Sequence, residues 1–283
     1  MSVLAVAEKD FRDAVRSRLM IGVAVLFVAF TGGGIALIVA FTPEEIGVGS
    51  AIEVVRQLIF SSSALFVPIV ALGIGFKSIA GERQSGSLKL LLSLPNSRLD
   101  VVVGKFLGRT AVVSVAVILG FLSLLIGSAL SFDGDLPVLG LIGAMIAILL
   151  LAVVFVSIAV GISASTGSIY TAALAAGSFF VLFRRTTWGG LIFLIRYVAN
   201  GFERPDPGAE SPEWAEVLTN LNPLEGWQTS AVWLIDTISE NGGGQQTSAD
   251  AFYLEPWFGF LVLTFWILAP LIVGYLTFES SDL

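Results

Sequence analysis

Residues 137–162 read PVLGLIGAMIAILLLAVVFVSIAVGI, a continuous apolar run without a charged side chain. An α-helix rises about 1.5 Å per residue, so about 20 such residues cross the roughly 30 Å hydrocarbon layer of a bilayer. This run reads as a transmembrane helix. Comparable runs occupy residues 19–41, 57–76, 110–131 and 256–278. The composition agrees: the 283 residues are 55% hydrophobic and 13% charged, and the mean hydropathy is +0.90. A soluble domain carries about 25% charged residues. A water-soluble enzyme is therefore excluded, and the expected fold class is an all-α integral membrane protein with six transmembrane helices.

The fifth span, over residues 169–199, is interrupted. Residues 169–183 are apolar but short and end at Arg184-Arg185, and residues 188–199 resume the run with Arg196 inside it. One span plus a re-entrant or interfacial helix fits, and so does a broken pair. The first run is too long for a cleaved signal peptide and lacks a small-residue cleavage site before its acidic exit. Pro68 lies inside the second run, where a neighbouring helix must compensate the missing backbone donor.

Lys and Arg set the orientation. Residues 1–20 hold Lys9, Arg12, Arg16 and Arg18, and the stretch 77–109 holds Lys77, Arg83, Lys89, Arg98, Lys105 and Arg109. Those ten, of fifteen cations in all, mark one side. Segments 42–56, 132–136 and 201–255 carry most of the acids with only Arg56 and Arg204. Both termini are expected in the cytoplasm of a multi-pass cell-membrane protein. Arg184 and Arg185 fit this plan poorly, because a fifth span leaving the cytoplasm puts them outside or in a cavity.

Cysteine and histidine are absent and the net charge is −7. That excludes disulfides, thiolate or imidazole catalysis and zinc sites, and it disfavours nucleic acid, which needs a basic face. No metal site, cofactor or catalytic residue is expected. The pair Asp133 and Asp135 reads as a solvated outer turn.

Residues 1–18 read as an amphipathic helix at the cytoplasmic interface. Val3, Leu4, Ala7, Phe11, Ala14, Val15 and Leu19 share one face, and Glu8, Lys9, Arg12, Asp13 and Arg16 the other. In the outer segment 201–255, Trp227, Ala231, Leu234, Ile235 and Ile238 form the stripe of a short helix. It is expected to rest on the outer leaflet or cap the bundle.

The densest local pattern lies in residues 80–98, AGERQSGSLKLLLSLPNSR. Gly86 and Ser87 open a short helix that Pro95 ends. Ser97-Arg98-Leu99-Asp100 fits a capping box that starts a second helix, running through Lys105 into the third span. Leu88, Leu91 and Leu92 share a face of the short helix. That face either meets a partner protein or packs back on the bundle.

The residues Gly81-Glu82-Arg83, Ser85-Gly86-Ser87-Leu88-Lys89, Leu91-Leu92-Ser93, Pro95 and Ser97-Arg98 resemble the cytoplasmic signature of ABC-2 type ABC-transporter permeases. The resemblance is closest to the subgroup with the nitrous-oxide-reductase maturation permease. The six-span plan, the amphipathic N-terminal helix and Leu221-Asn222-Pro223-Leu224 fit the same family, and Arg184-Arg185 departs from it. The resemblance implies a permease subunit of an exporter, working as a homodimer or with a related permease. It further implies a coupling loop, 77–109, docked on a separate ATPase subunit, with Glu82, Arg83, Gly86, Leu88 and Leu91 as transmission contacts. No G-x-x-x-x-G-K-[ST] occurs in the chain, so ATP hydrolysis is expected on that other subunit.

An ion-gradient-driven transporter is the first alternative, disfavoured because spans one, three and four hold no ionisable residue. An integral-membrane enzyme is a second. A third is an ABC-type permease that passes force to an extracytoplasmic partner instead of moving a solute. The hydroxyls Thr31, Ser61, Ser62, Ser63, Ser114, Ser123 and Ser157 either line a weakly polar path or pack helices together.

Overall fold

The computed structural model describes residues 3–41, 48–93, 95–131, 138–205, 211–239 and 251–282. The Asp133–Asp135 turn, Leu94 and the glycine triplet at 242–244 lie outside them, as do the side chains of Ser61 and Leu19. Among the described residues the fold is all-α, with no strand. In chain order the helices are α1 (Val3–Val15), α2 (Arg18–Phe41), α3 (Val48–Gly75), α4 (Ala80–Ser85), α5 (Ser87–Ser93) and α6 (Arg98–Ser131). They continue as α7 (Val138–Ala164), α8 (Ile169–Phe183), α9 (Arg185–Ala199), α10 (Glu213–Asn220), α11 (Pro223–Ile238) and α12 (Pro256–Glu279).

Among the described residues four stretches, Ser62–Ser85, Arg98–Leu130, Val138–Ala164 and Pro256–Glu279, are long and apolar enough to cross a membrane. Two bent pairs raise the number to six if each is one span: α1 with the start of α2, at 69°, and α8 with α9, at 70°. The protein is a multi-pass membrane bundle.

α7 is its centre. The sequence of this helix is apolar on every side, the pattern of a helix buried all round, and its buried residues run from Gly143 to Ala164. It packs against α3, α6, α11 and α12. Small residues set the closest approaches. A Cβ at Gly161 would lie 2.3 Å from the Pro270 carbonyl oxygen of α12, and one at Gly274 would lie 2.6 Å from the Gly161 oxygen. Hydroxyls bind helix to helix as well. Thr31 Oγ1 on α2 donates to the Gly120 oxygen at 2.8 Å and lies 2.7 Å from Ser123 Oγ, both on α6. Ser157 Oγ donates to the Ile267 carbonyl of α12. At these three residues the hydroxyls serve helix packing.

Two expectations change. α11 does not rest on a leaflet: it is inserted between α7 and α12, with Trp227 1% exposed and its indole N–H donating to the Ala147 oxygen at 2.7 Å. A buried indole must find an acceptor, and the sequence pattern cannot say whether an apolar stripe meets lipid or protein. α1 keeps its expected polar face of Glu8, Lys9, Arg12, Asp13 and Arg16 exposed, with Phe11 and Val15 packed on the core, but its buried side is rotated toward Val6 and Asp10. Val6, Asp10 and Ala14 are buried against α6, while Leu4 is exposed.

Gly161→Ala places a methyl against the Pro270 backbone, which cannot yield as a flexible side chain would. Overpacking of this kind costs about 1–3 kcal/mol. Thermal unfolding of the purified chain is expected to shift down in Gly161→Ala and stay unchanged in Gly177→Ala, whose added Cβ meets nothing within 4 Å.

Candidate functional site

The candidate site is the α4–α5 elbow. Its start is held from α7: the backbone N–H groups of Ile79 and Ala80 both donate to Ser163 Oγ at 3.0 Å. The first amides of a helix lack partners of their own, and this hydroxyl supplies an acceptor. α4 stops at Gly86, whose φ of +78° is left-handed, a conformation that favours glycine. α5 then runs to Ser93, ahead of Pro95. The expected capping box follows. Ser97 N–H donates to Asp100 Oδ2 at 2.8 Å, and Asp100 N–H donates back to Ser97 Oγ at 3.0 Å. From there α6 continues unbroken to Ser131.

The leucines take the inward option. Leu88 is 1% exposed and Leu91 is also buried, in the same core cluster as Ile79, Val101, Val102 and Phe278. Leu92 is half-buried and Leu90, 73% exposed, is the leucine that faces out. An exposed leucine face on Leu88, Leu91 and Leu92 is therefore corrected to one on Leu90. The stripe Leu88, Leu91 and Leu92 is the one that the spacing marks out, and spacing alone leaves open whether it meets a partner or the bundle. The outer surface of the elbow consists of Gln84, Ser85, Gly86, Ser87, Lys89, Leu90 and Ser93.

Beneath it lies a closed cluster of charge. Lys105 Nζ on α6 donates to Asp10 Oδ1 at 2.9 Å and pairs with Glu82 of α4. Arg109, one helical turn further along α6, pairs with the same carboxylate, its Nη2 donating to Asp10 Oδ1 at 3.0 Å and its Nε lying 2.8 Å from Oδ2. The side chains of Asp10 and Lys105 are only 2% and 5% exposed. α1 reaches this depth because α6 carries glycines at the crossing. A Cβ at Gly104 would lie 2.6 Å from Val6 Cβ, and one at Gly108 would lie 2.9 Å from both the Ala7 oxygen and Asp10 Oδ2.

Two further arginines fasten the elbow to the end of α12. Arg98 Nη1 donates to the carbonyls of Phe278, Glu279 and Ser281, the latter two at 2.7 and 2.9 Å, and its guanidinium lies 5.3 Å from the Phe278 ring centroid. Arg83 Nη2 donates to the Asp282 oxygen at 3.0 Å. The final carbonyls of a helix are unsatisfied and carry partial negative charge, so arginines suit them. On the other flank, the first amide of α8, at Ile169, donates to Gln84 Oε1 at 3.1 Å.

Of the five residues picked from the sequence, Glu82 and Arg83 are thus engaged within the chain, Leu88 and Leu91 are buried, and Gly86 stands at the exposed tip. Sequence reading passed over Asp10, Lys105, Arg109 and Ser163. A signal existed for two of them: Lys105 and Arg109 are four apart, which puts them on one face of α6. No group of three or more carboxylates able to hold a metal ion occurs among the described residues. These bonds tie α1, α4, α6, α7, α8 and α12 together around one elbow.

Removing one partner from a buried charge cluster strands the others and costs about 3–5 kcal/mol. Asp10→Asn leaves Lys105 and Arg109 facing a neutral amide. Its expected effect is a lowered thermal unfolding midpoint, larger than that of Glu8→Gln, whose exposed pair with Arg12 contributes under about 1 kcal/mol. Equal midpoints for the two variants would show that the cluster does not hold α1.

Residues 4–283 match the family described as ABC-2 family transporter protein. The chain is 32% identical over 187 residues to a probable ABC transporter permease protein NosY of Pseudomonas aeruginosa, an alignment covering 64% of this chain and 67% of that protein. It is 31% identical over 129 residues to the protein of the same name from Stutzerimonas stutzeri, covering 46% of each. The chain is a membrane subunit of an ABC transporter and belongs to the ABC-2 transporter family.

Proposed function

We propose that this chain is the permease subunit of an ABC exporter, with the elbow end in the cytoplasm and the ATP chemistry carried by a separate ATPase subunit docked on the elbow. The observation that carries the reading is the wiring of the elbow. A short helix pair is bonded by side chains to the base of α6 and to the ends of α7, α8 and α12, and through Lys105 of α6 to Asp10 of α1. A push on such a node moves all of those helices together, which is what transmission of work from a docked motor requires. The signature motif in residues 81–98 and the family's use of ABC ATPases support the partner, and the absence of a phosphate-binding loop supports its being a different polypeptide.

The five coupling residues then divide by role. Gly86 lies at the contact surface with Lys89 and Leu90, and its missing side chain lets a partner's backbone approach. Leu88 and Leu91 hold α5 at the right angle by packing on the bundle. Glu82 and Arg83 link the elbow to α6 and to the end of α12, and so pass motion inward. Two such permeases, identical or related, enclose the translocation path between them. The ten cations that cluster on the N-terminal and elbow segments support the cytoplasmic assignment.

Leu90→Asp should abolish co-purification of the ABC ATPase subunit, while membrane insertion and thermal midpoint stay near those of the parent chain. Leu88→Asp should instead lower the midpoint itself, because it buries a charge. Retained co-purification in Leu90→Asp would remove the docking assignment. Orientation has its own check: the chain lacks cysteine, so Ser85→Cys and Ser280→Cys should react with a membrane-impermeant thiol reagent only after permeabilisation. Labelling in intact cells would reverse the topology.

A further inference from the structure

We propose that Arg184 and Arg185, at the break between α8 and α9, form an anion-binding station on the translocation path, so that the transported solute carries a carboxylate, phosphate or similar oxyanion. The proposal rests on the permease reading above and deepens it to a substrate class.

The depth of the break comes first. α8 starts against the elbow at Ile169 and is 15 residues long, so its far end stands about 22 Å from the elbow. From the other side, Trp266, ten residues past the start of α12, donates its indole N–H to the Leu221 oxygen at 2.9 Å. That level is about 15 Å below the outer start of α12. Asn222 ties the two measures together, since its Nδ2 donates to the Phe183 oxygen at 3.0 Å. Against a hydrocarbon layer of about 30 Å, the break lies well inside the apolar zone.

Two adjacent cations occur at that depth. Arg185 pairs with Glu225 at 3.2 Å, yet 75% of its side chain stays exposed on the protomer. Arg184 lies 5.8 Å from the centroid of the Phe180 ring and has no ion pair among the described residues. One carboxylate against two guanidiniums leaves a net positive charge. Intramembrane cations of this kind face other protein or a water-filled cavity rather than lipid. An arginine side chain reaches roughly 6–7 Å, too short to carry these charges from the break to either headgroup layer.

The neighbouring surface favours water and an anion over a dry contact. Placed at the axis of a two-fold pair, this patch would meet its own copy and set like charges against each other without a counter-ion. An anion between them removes that repulsion and uses the donors that Glu225 leaves free. The wall behind the break is stiff. Phe183 stacks on Trp188 with centroids 4.9 Å apart and on Phe179 at 4.3 Å, and Trp266 packs edge-on against Phe183 at 4.8 Å. Thr186 and Thr187, exposed on the first turn of α9, add hydroxyls beside the guanidiniums.

The cysteine-free chain permits a direct test in the full-length permease, reconstituted with its ATPase subunit. Thr187→Cys is treated with a negatively charged and a positively charged methanethiosulfonate reagent, each rate being normalised to that on a free thiol. Both reagents should react, with the anionic one favoured about tenfold, the effect of roughly one net charge at 6–7 Å in water on two reagents of opposite sign. Arg184→Gln with Arg185→Gln should erase the preference, and Arg184→Lys with Arg185→Lys should keep it. Inorganic phosphate replacing chloride at constant ionic strength should slow modification of the arginine form and not of the glutamine form. No reaction with either reagent, equal normalised rates, or no effect of phosphate would overturn the proposal. Retained co-purification of the ATPase subunit in the same Thr187→Cys preparation assigns that failure to the arginine site alone. Lost co-purification instead refutes the permease reading.

Discussion

A carboxylate closed off from solvent must be met by cations, and at the elbow end Asp10 is met by two. Lys105 and Arg109 approach it from successive turns of α6, and Lys105 reaches on to Glu82 of α4. Separating any one of these helices would leave charge in a poorly solvated interior at a cost of several kcal/mol. α1, α4 and the base of α6 therefore behave as one body. The glycines at 104 and 108 are what admit Asp10 to that body, since a side chain at either position would hold α1 away.

The same end gathers the remaining helices by a different device. Helix termini carry unpaired amides and carbonyls, and here they are met by side chains from other elements: Ser163 at the start of α4, Gln84 at the start of α8, Arg83 and Arg98 at the end of α12. Each such bond fixes the direction in which a helix leaves the elbow. A bundle held together only by dispersion between apolar faces would have no comparable reason to move in concert.

Deeper in the bundle the controlling demand is that broken backbone be satisfied away from water. The break at Arg184 and the turn before α11 meet each other, and side-chain donors from Asn222, Trp188 and Trp266 satisfy the carbonyls of Phe183, Leu218 and Leu221. Asn222 also caps α11, its side chain accepting from the Leu224 amide at 2.8 Å. One asparagine thereby locks the end of α8 to the start of α11. This explains why Leu221-Asn222-Pro223-Leu224 stands out: it closes the turn between α10 and α11, with Pro223 at a position where a missing N–H does no harm.

Much of the protein follows from sequence alone where the signal is local or summed over many residues. The apolar runs, the helix start at Ser97, the stop before Pro95, the break at Arg184-Arg185 and the family signature are of this kind, because solvent partitioning, capping and proline sterics act over a few neighbours. What the sequence could not decide was which surface each amphipathic face meets. Leu88, Leu90 and Leu91 are the same residue type, and only the packed bundle determines that two turn inward and one outward. Trp227 suits a headgroup layer or a core equally well until α7 offers it a carbonyl. Asp10 looks like an ordinary surface acid until the glycines of α6 draw it beside Lys105. The type of a side chain sets what it needs, and tertiary structure determines which neighbour supplies it, because that depends on residues about a hundred positions away in the chain.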